Sequence, residues 1–378
     1  MSGAERFPPR PDPAAARALR RRLLAWYLAE RRDLPWRRTR DPYAIWISEA
    51  MLQQTRVETV VPYWERFLER FPDVDALAEA GEEELLAAWS GLGYYRRARA
   101  LQAAARVIVE EHGGEFPRDR AAVLALPGVG PYTAGAVLSI AFDAAEPLVD
   151  GNVARVFCRL FGLDAPADSA ALKRELWERA EALLPRRAGP RGPGAWNQAV
   201  MELGAMLCTP REPHCMLCPL RRDCRALAEG RVARLPRPGR RAEPVDVELE
   251  VLLVVQGGRL LLVRRPPEGR MAGMWECPTR ELGSSHLWPR TFPGTGLVAG
   301  EELGEVRHGI TRHRIKARVR AGRRTGRGRL PAGLAWYSPE AIQGLGLTGM
   351  TRKVLDLQTG TEPGSDPTYP NGPSAVGV

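Results

Sequence analysis

Lysine is nearly missing from this chain. Three of its 55 basic residues are Lys (Lys173, Lys316 and Lys353) and the rest are Arg. No run approaches the roughly 18 apolar residues of a membrane span, which excludes a membrane-spanning helical protein. Met1 to Arg10 has no apolar signal core, so the reading places the protein in the cytoplasm and not at a membrane. Collagen and coiled-coil periods are absent, and strand-like alternation is scarce over the first 230 or so residues. What is present suits a globular protein. Apolar residues are 44% and charged residues 26% of 378, and at about 150 residues per domain the length fits two or three domains. The formal charge of +10 favours a polyanionic partner. The Arg-for-Lys bias itself reads as genome composition rather than selection for phosphate contacts.

From 14 to 229 the pattern is helical almost throughout. Leu19, Leu23, Leu24, Tyr27 and Leu28 form one apolar stripe, and Asp41-Pro42 is a helix start, with a capping carboxylate and Pro at the first helical position. Residues 230–247, rich in Arg and Pro, read as a linker. From 248 to 357 the texture is that of a smaller α+β domain. Val247–Val255 and Arg259–Arg265 read as strands joined at Gly257-Gly258, Ile310–Val319 and Leu334–Tyr337 as further strands, and Thr348–Leu357 as a closing helix. Residues 1–13 and 359–378 read as disordered.

Four of the six cysteines, Cys208, Cys215, Cys218 and Cys224, fall in a C-x6-C-x2-C-x5-C pattern. In a chain neither short nor secreted, this is a metal site rather than a disulfide scaffold. Four thiolates in one loop suit either zinc or a [4Fe–4S] cube. Leu126-Pro127-Gly128-Val129-Gly130 lies between two helical stretches. Such a turn points backbone amides outward at a helix start, where a phosphate is held without sequence readout. Gly128 and Gly130 are therefore candidate phosphate contacts.

Two carboxyls stand in contrasting settings. Glu49 follows Ile45 and Trp46 and precedes Leu52 and Gln53; apolar neighbours raise a carboxyl pKa and suit it to general acid work. Asp150 precedes Gly151-Asn152-Val153 as a helix cap, accepting amides and staying ionised. Taken singly, Glu49 also reads as a surface residue and Asp150 as a plain cap.

Taken in order, Ser48-Glu49-Ala50-Met51-Leu52-Gln53-Gln54-Thr55, Gly91-Leu92-Gly93-Tyr94-Tyr95, the glycine turn with Pro131-Tyr132-Thr133-Ala134-Gly135, Asp150-Gly151-Asn152-Val153-Ala154-Arg155 and the cysteine loop span about 34 to 224. This set resembles the MutY-type adenine DNA glycosylases of the helix-hairpin-helix superfamily. The resemblance implies an all-α helix-hairpin-helix glycosylase domain carrying a [4Fe–4S] loop, followed by a smaller α+β Nudix-like domain. It implies a monofunctional base-excision-repair hydrolase that flips out adenine opposite 8-oxoguanine or guanine and leaves an abasic site. Glu49 would protonate the base, Asp150 would stabilise the oxocarbenium-like sugar, and Tyr132 and Asn152 would support them. Glu202, Trp36 and Arg37 would line the adenine pocket, and Gln54 and Tyr94 would wedge into the duplex. Cys208, Cys215, Cys218 and Cys224 would hold the cluster. The expected partner is double-stranded DNA bearing A:8-oxoguanine or A:G, the expected state a monomer, and the expected location the bacterial nucleoid.

Bifunctional relatives carry a Lys where this chain has Tyr132, and a phenol cannot form the imine that strand cleavage requires. In the second domain, Met271-Ala272-Gly273-Met274-Trp275-Glu276-Cys277-Pro278 resembles a recurring stretch of the family's Nudix-like domain. No Glu-rich box for a diphosphate-bound Mg²⁺ is visible. The family's lesion-reading Phe-Ser-His turn corresponds to Ile310-Thr311-Arg312, so the hydroxyl survives as Thr311 while the aromatic and imidazole do not. Beyond it, Arg312, Arg314, Lys316, Arg318 and Arg320 alternate with apolar residues and His313. Strand period puts these cations on one face, which reads as a phosphate-tracking strand.

Overall fold

The computed structural model describes residues 7–240, 243–283, 296–326 and 328–359. Twelve helices come first: α1 (Pro13–Glu30), α2 (Pro42–Leu52), α3 (Val57–Arg70), α4 (Val74–Glu79), α5 (Glu82–Ala88), α6 (Arg96–His112), α7 (Arg120–Ala125), α8 (Pro131–Phe142), α9 (Gly151–Phe161), α10 (Ala170–Leu183), α11 (Pro193–Met206) and α12 (Arg225–Ala228). Seven strands follow: β1 (Val245–Gln256), β2 (Arg259–Arg264), β3 (Trp275–Glu276), β4 (Thr279–Glu281), β5 (Leu297–Ile310), β6 (His313–Arg324) and β7 (Leu334–Tyr337). Helices α13 (Pro339–Gln343) and α14 (Gly349–Thr359) close the described chain. No described helix is long and apolar enough to cross a membrane.

Two compact units are distinguished. One takes the chain up to Gln53 with Val107–Arg241, and the other takes Gln54–Arg106 with the chain from Ala242 on. The first unit is built on α2 and α8. Residues Tyr43–Met51 of α2 and Thr133–Ile140 of α8 are buried without a break, so both helices are enclosed on all sides rather than amphipathic. Helix α2 starts where the sequence predicts: the Asp41 carboxylate accepts from the amides of Tyr43 (3.0 Å) and Ala44 (3.2 Å). Tails 1–13 and 359–378 lie largely outside the described residues. In the part that is described, Asp12 caps α1 through Ala14 and Ala15, and the Pro8 carbonyl accepts from buried Arg179.

In the second unit the sheet runs β3-β2-β1-β6-β5, with β4 also on β1 and β7 on β2. β1 and β6 are parallel, and the other pairs are antiparallel. Leu249, Val251, Leu262, Ala317, Val319 and Val354 centre its core. The strand expected over Ile310–Val319 is two strands: Thr311 and Arg312 form a turn between β5 and β6. The sequence reading missed β5, where glycines and exposed acids break the alternation. The row of cations is also corrected. Arg314, Lys316 and Arg318 do share the exposed face of β6, but neighbouring strands bring acids beside it. Lys316 meets Glu305 (3.1 Å), Arg318 meets Glu248 (3.7 Å) and Arg320 meets Glu250 (3.4 Å). Arg312 and Arg314, nearest the turn, have no carboxylate partner among the described residues.

Candidate active site

Helix α2 lies against α8, and this brings Glu49 to Tyr132. The phenol donates to Glu49 Oε2 at 2.5 Å and also lies 3.6 Å from Met201 Sδ. Glu49 is 5% exposed. Burial raises its pKa, and nearby Asp150 raises it further, against the Tyr132 hydrogen bond and Arg37; the carboxyl is brought to about 7. Burial and the two carboxylates push Tyr132 well above its ordinary range, so it remains a neutral phenol. Asp150 caps α9 through Val153 N (2.7 Å) and accepts from Asn152 Nδ2 (2.8 Å). Asp150 is thus the helix cap that the sequence predicts. Burial raises the Asp150 pKa, and its amide, Asn152 and Arg155 partners only partly oppose that rise.

Beside these groups stands Glu202 of α11, 1% exposed. Its carboxylate accepts from Arg32 Nε (3.1 Å) and Nη2 (2.7 Å), from the Arg32 amide (3.0 Å), and from Arg37 Nη1 (2.9 Å) and Nη2 (2.8 Å). Burial alone would raise this carboxyl, but the hydrogen bonds from Arg37 and Arg32 prevail and bring it to about 2. Arg37 also lies 5.6 Å from the Tyr27 ring centroid. Trp36 is buried in the short turn Pro35–Arg37. Both Glu202 oxygens are thus engaged by arginines. The sequence reading had named Arg37 but not Arg32, whose neighbours Arg31 and Asp33 make it look like part of a surface charge run.

Helix α9 carries more than the cap. Arg155 Nη2 donates to Asn152 Oδ1 (2.7 Å) and to the Gly204 carbonyl (2.8 Å), while its Nε donates to the Cys208 carbonyl (2.7 Å). One turn on, Arg159 donates to the carbonyls of Thr209 (2.6 Å) and Pro210 (3.1 Å), with Nη1 3.4 Å from Cys208 Sγ. Neither arginine had a role assigned from sequence. Cys208, Cys215, Cys218 and Cys224 line one recess, walled by Leu207, Pro213, Leu227 and Val232. The four thiols, apolar walls and adjacent guanidinium suit a thiolate-held anionic cluster in their chemistry, but among the described residues no three His, Cys, Asp or Glu side chains are arranged to hold a metal ion.

The glycine turn joins α7 to α8 as expected. Gly128 is exposed at φ +74°, and Gly130 caps α8, whose first residue is Pro131. In the second unit, three residues singled out from sequence hold left-handed backbone that only glycine adopts readily: Gln54 (φ +63°), Tyr94 (+48°) and Thr311 (+52°). Tyr94 is 40% exposed, with the Arg97 guanidinium 5.6 Å from its ring. Thr311 is exposed at the β5–β6 turn and donates to the Ile310 carbonyl (2.7 Å). Non-glycine residues in this conformation cost about 1–3 kcal/mol each and concentrate at functional positions.

Comparison with known proteins identifies the family. Residues 47–182 match the HhH-GPD superfamily of base excision DNA repair proteins, and 250–357 match the NUDIX domain. The chain is 36% identical over 423 aligned positions to human adenine DNA glycosylase, covering 94% of this chain and 76% of that protein. To the adenine DNA glycosylase of Mycolicibacterium smegmatis it is 46% identical over 199 positions, 52% of this chain and 66% of that one. A thermostable thymine-DNA glycosylase structure superposes with a TM-score of 0.50 at 32% identity, over 57% of this chain and 97% of that one. With the HhH-GPD match over its helical region, the NUDIX match after it and this identity across most of its length, the chain belongs to the adenine DNA glycosylase family, hydrolases of base excision repair.

Proposed function

We propose that the enzyme removes adenine mispaired with 8-oxoguanine, and with guanine, and leaves an abasic site. The observation that carries this is Glu49: buried, with its pKa raised to about 7, bonded to Tyr132 and close to Asp150. A base inside the stack cannot be reached, so adenine is first flipped out, with Gln54 and Tyr94 filling the space beside the mispair. Glu49 gives its proton to N7 of adenine. The glycosidic bond then breaks, its electron pair leaves with the protonated base, and the sugar becomes oxocarbenium-like. Asp150 answers that positive charge, and this is where its raised pKa has a use: a carboxylate poorly solvated before reaction gains most from a cation forming beside it. Water adds to the sugar carbon and returns a proton. Tyr132 holds one oxygen of Glu49 and leaves the other to carry the proton, and Asn152 fixes Asp150. Arg32, Arg37 and Glu202 form a rigid polar wall with Trp36, to which the adenine edge binds.

The four cysteines are proposed to hold a [4Fe–4S] cluster; when bound, it supplies four iron–sulfur bonds that brace the loop. The glycine turn holds backbone phosphate through Gly128 and Gly130, and Thr311 reads the base opposite adenine with Arg312 and Arg314 beside it. The proposed working state is a monomer on duplex DNA, with a glycosylase domain over 14–229 and a lesion-reading domain over 248–357. Base release from A:8-oxoguanine, A:G and T:G duplexes tests the assignment. Adenine release from the first two, with no borohydride-trapped enzyme–DNA adduct, is expected. Thymine release or efficient trapping would move the enzyme to another class.

A further inference from the structure

The second unit contains both the loop that presents Tyr94 and the helix α14 that closes the sheet domain, and the two are bonded directly. Arg352 of α14 donates to Ser90 Oγ at 2.5 Å, and Tyr95 Oη donates to the Leu347 carbonyl at 3.4 Å. Ser90 and Tyr95 bracket the loop and are 7% and 6% exposed, so these are interior contacts. From the helical side the same loop is held by Tyr63 on the Ser90 carbonyl (2.9 Å), Trp89 on the Gly93 carbonyl (3.1 Å) and Arg97 on the Leu92 carbonyl (3.0 Å). Tyr94, the exposed and left-handed residue, is the part of the loop left to project.

α14 is in turn tied to the β5–β6 turn. Trp275 pairs through its amide with the Gly346 carbonyl and through its carbonyl with the Thr348 amide, both at 3.0 Å. The Cys277 amide donates to Thr351 Oγ1 at 3.0 Å. Between them Glu276, fully buried, is held by both its oxygens from Arg265 (2.8 Å each). Arg265 Nε donates to the Arg270 carbonyl (2.8 Å), and Arg270 Nη2 lies 3.2 Å from His313 Nε2. His313 Nδ1, 3.3 Å from the Ile310 carbonyl, sits beneath Thr311. The imidazole thus lies one residue beyond the place where the family turn carries it, buried and facing inward.

We infer that Arg352 is a positioning residue for the Tyr94 wedge, and that through it the sheet domain sets how the wedge enters the duplex as well as reading the opposite base. Arg352 reaches neither DNA nor adenine in this role; it acts by fixing Ser90. The inference rests on the proposed function, in which Tyr94 fills the space beside the mispair.

A double-mutant cycle on the full-length chain tests it. Arg352→Ala should lower the single-turnover rate of adenine release at saturating enzyme by about tenfold, a coupling typical of groups in one network. It should also reduce the fluorescence rise of a 2-aminopurine placed beside the mispair, which reports unstacking. On a Tyr94→Ala background, Arg352→Ala should change neither further. Ser90→Ala, which deletes the acceptor and keeps the fold, should reproduce both effects and stands in if Arg352→Ala does not fold. Additive losses, or an unchanged 2-aminopurine signal in both variants, would overturn the inference alone. If the wild-type enzyme released no adenine from either duplex, the proposed function would fall and take the inference with it.

Discussion

At the scale of single residues, Glu49 and Glu202 are pulled in opposite directions by what surrounds them. Glu49 has one neutral donor and a carboxyl neighbour, and burial brings it to about 7. Glu202 is as deeply buried yet receives two guanidinium groups and falls to about 2. In the proposed mechanism Glu49 acts in its protonated form, so the single-turnover rate should be flat below pH 7 and fall about tenfold per unit above it. Glu49→Gln should abolish that rate while binding to an A:8-oxoguanine duplex persists, since the amide keeps the shape and loses the proton. A variant that retained near wild-type release would remove Glu49 from the acid role. For Glu202 the sign is that of a depressed acid: its stabilisation is present above the ordinary value of 4.5 and is lost as pH falls toward 2. Glu202→Gln leaves two arginines facing a neutral group. It should lower unfolding free energy at pH 7 by about 3–5 kcal/mol in denaturant titration, with a much smaller difference from wild type near pH 2.

Elements place these residues, and α9 shows how tightly. Its first turn holds Asp150 and Asn152, its second Arg155 and its third Arg159, so one rigid rod carries the Asp150 carboxylate and the ties to the cysteine loop. Where α9 meets α11, a Cβ on Gly204 would stand 2.6 Å from Asn152 Cβ. Gly204→Ala should therefore displace Asn152 and cut adenine release by about tenfold or more. Binding of duplex DNA should change little, and loss of both together would point to general unfolding instead. Little of this was legible beforehand. The motif residues, the helix starts at Pro42 and Gly151 and the β1–β2 hairpin were, because caps, glycines and short spacing are local signals. Arg32 and Arg155 were not: each is defined by a partner at least 50 positions away, Glu202 for the first and Cys208 for the second. The same limit explains the cation row on β6, which looked unopposed only because its acids are supplied by β1 and β5. Burial of α2 and α8 on all sides likewise erased the periodicity that marks a surface helix.

On the scale of the whole molecule, the chain's second unit joins the segment Gln54–Arg106 to the sheet domain, although these stretches are far apart in sequence. Removing the chain after Arg240 deletes the turn that carries Thr311, the nearby Arg312 and Arg314, and the α14 brace on Ser90. The helical remainder keeps its buried α2 and α8, Glu49, Asp150 and all four cysteines. It should therefore still bind about four irons per chain when prepared anaerobically, as the four-thiolate site requires. It should also still release adenine from A:G, more slowly because its wedge loop has lost one of its two supports. Its preference for A:8-oxoguanine over A:G should shrink toward none, because the turn proposed to read the opposite base is gone. Loss of Arg312 and Arg314 alone should act differently. Replacing both with Ala in the full-length protein should weaken binding to the two duplexes alike and reduce the slope of log affinity against log salt by about two. Thr311→Val should leave that slope unchanged and cost only the discrimination, on the order of 0.5–1.5 kcal/mol for one hydrogen bond. If the truncated enzyme kept its full preference for A:8-oxoguanine, base reading would have to be moved from the β5–β6 turn into the helical unit.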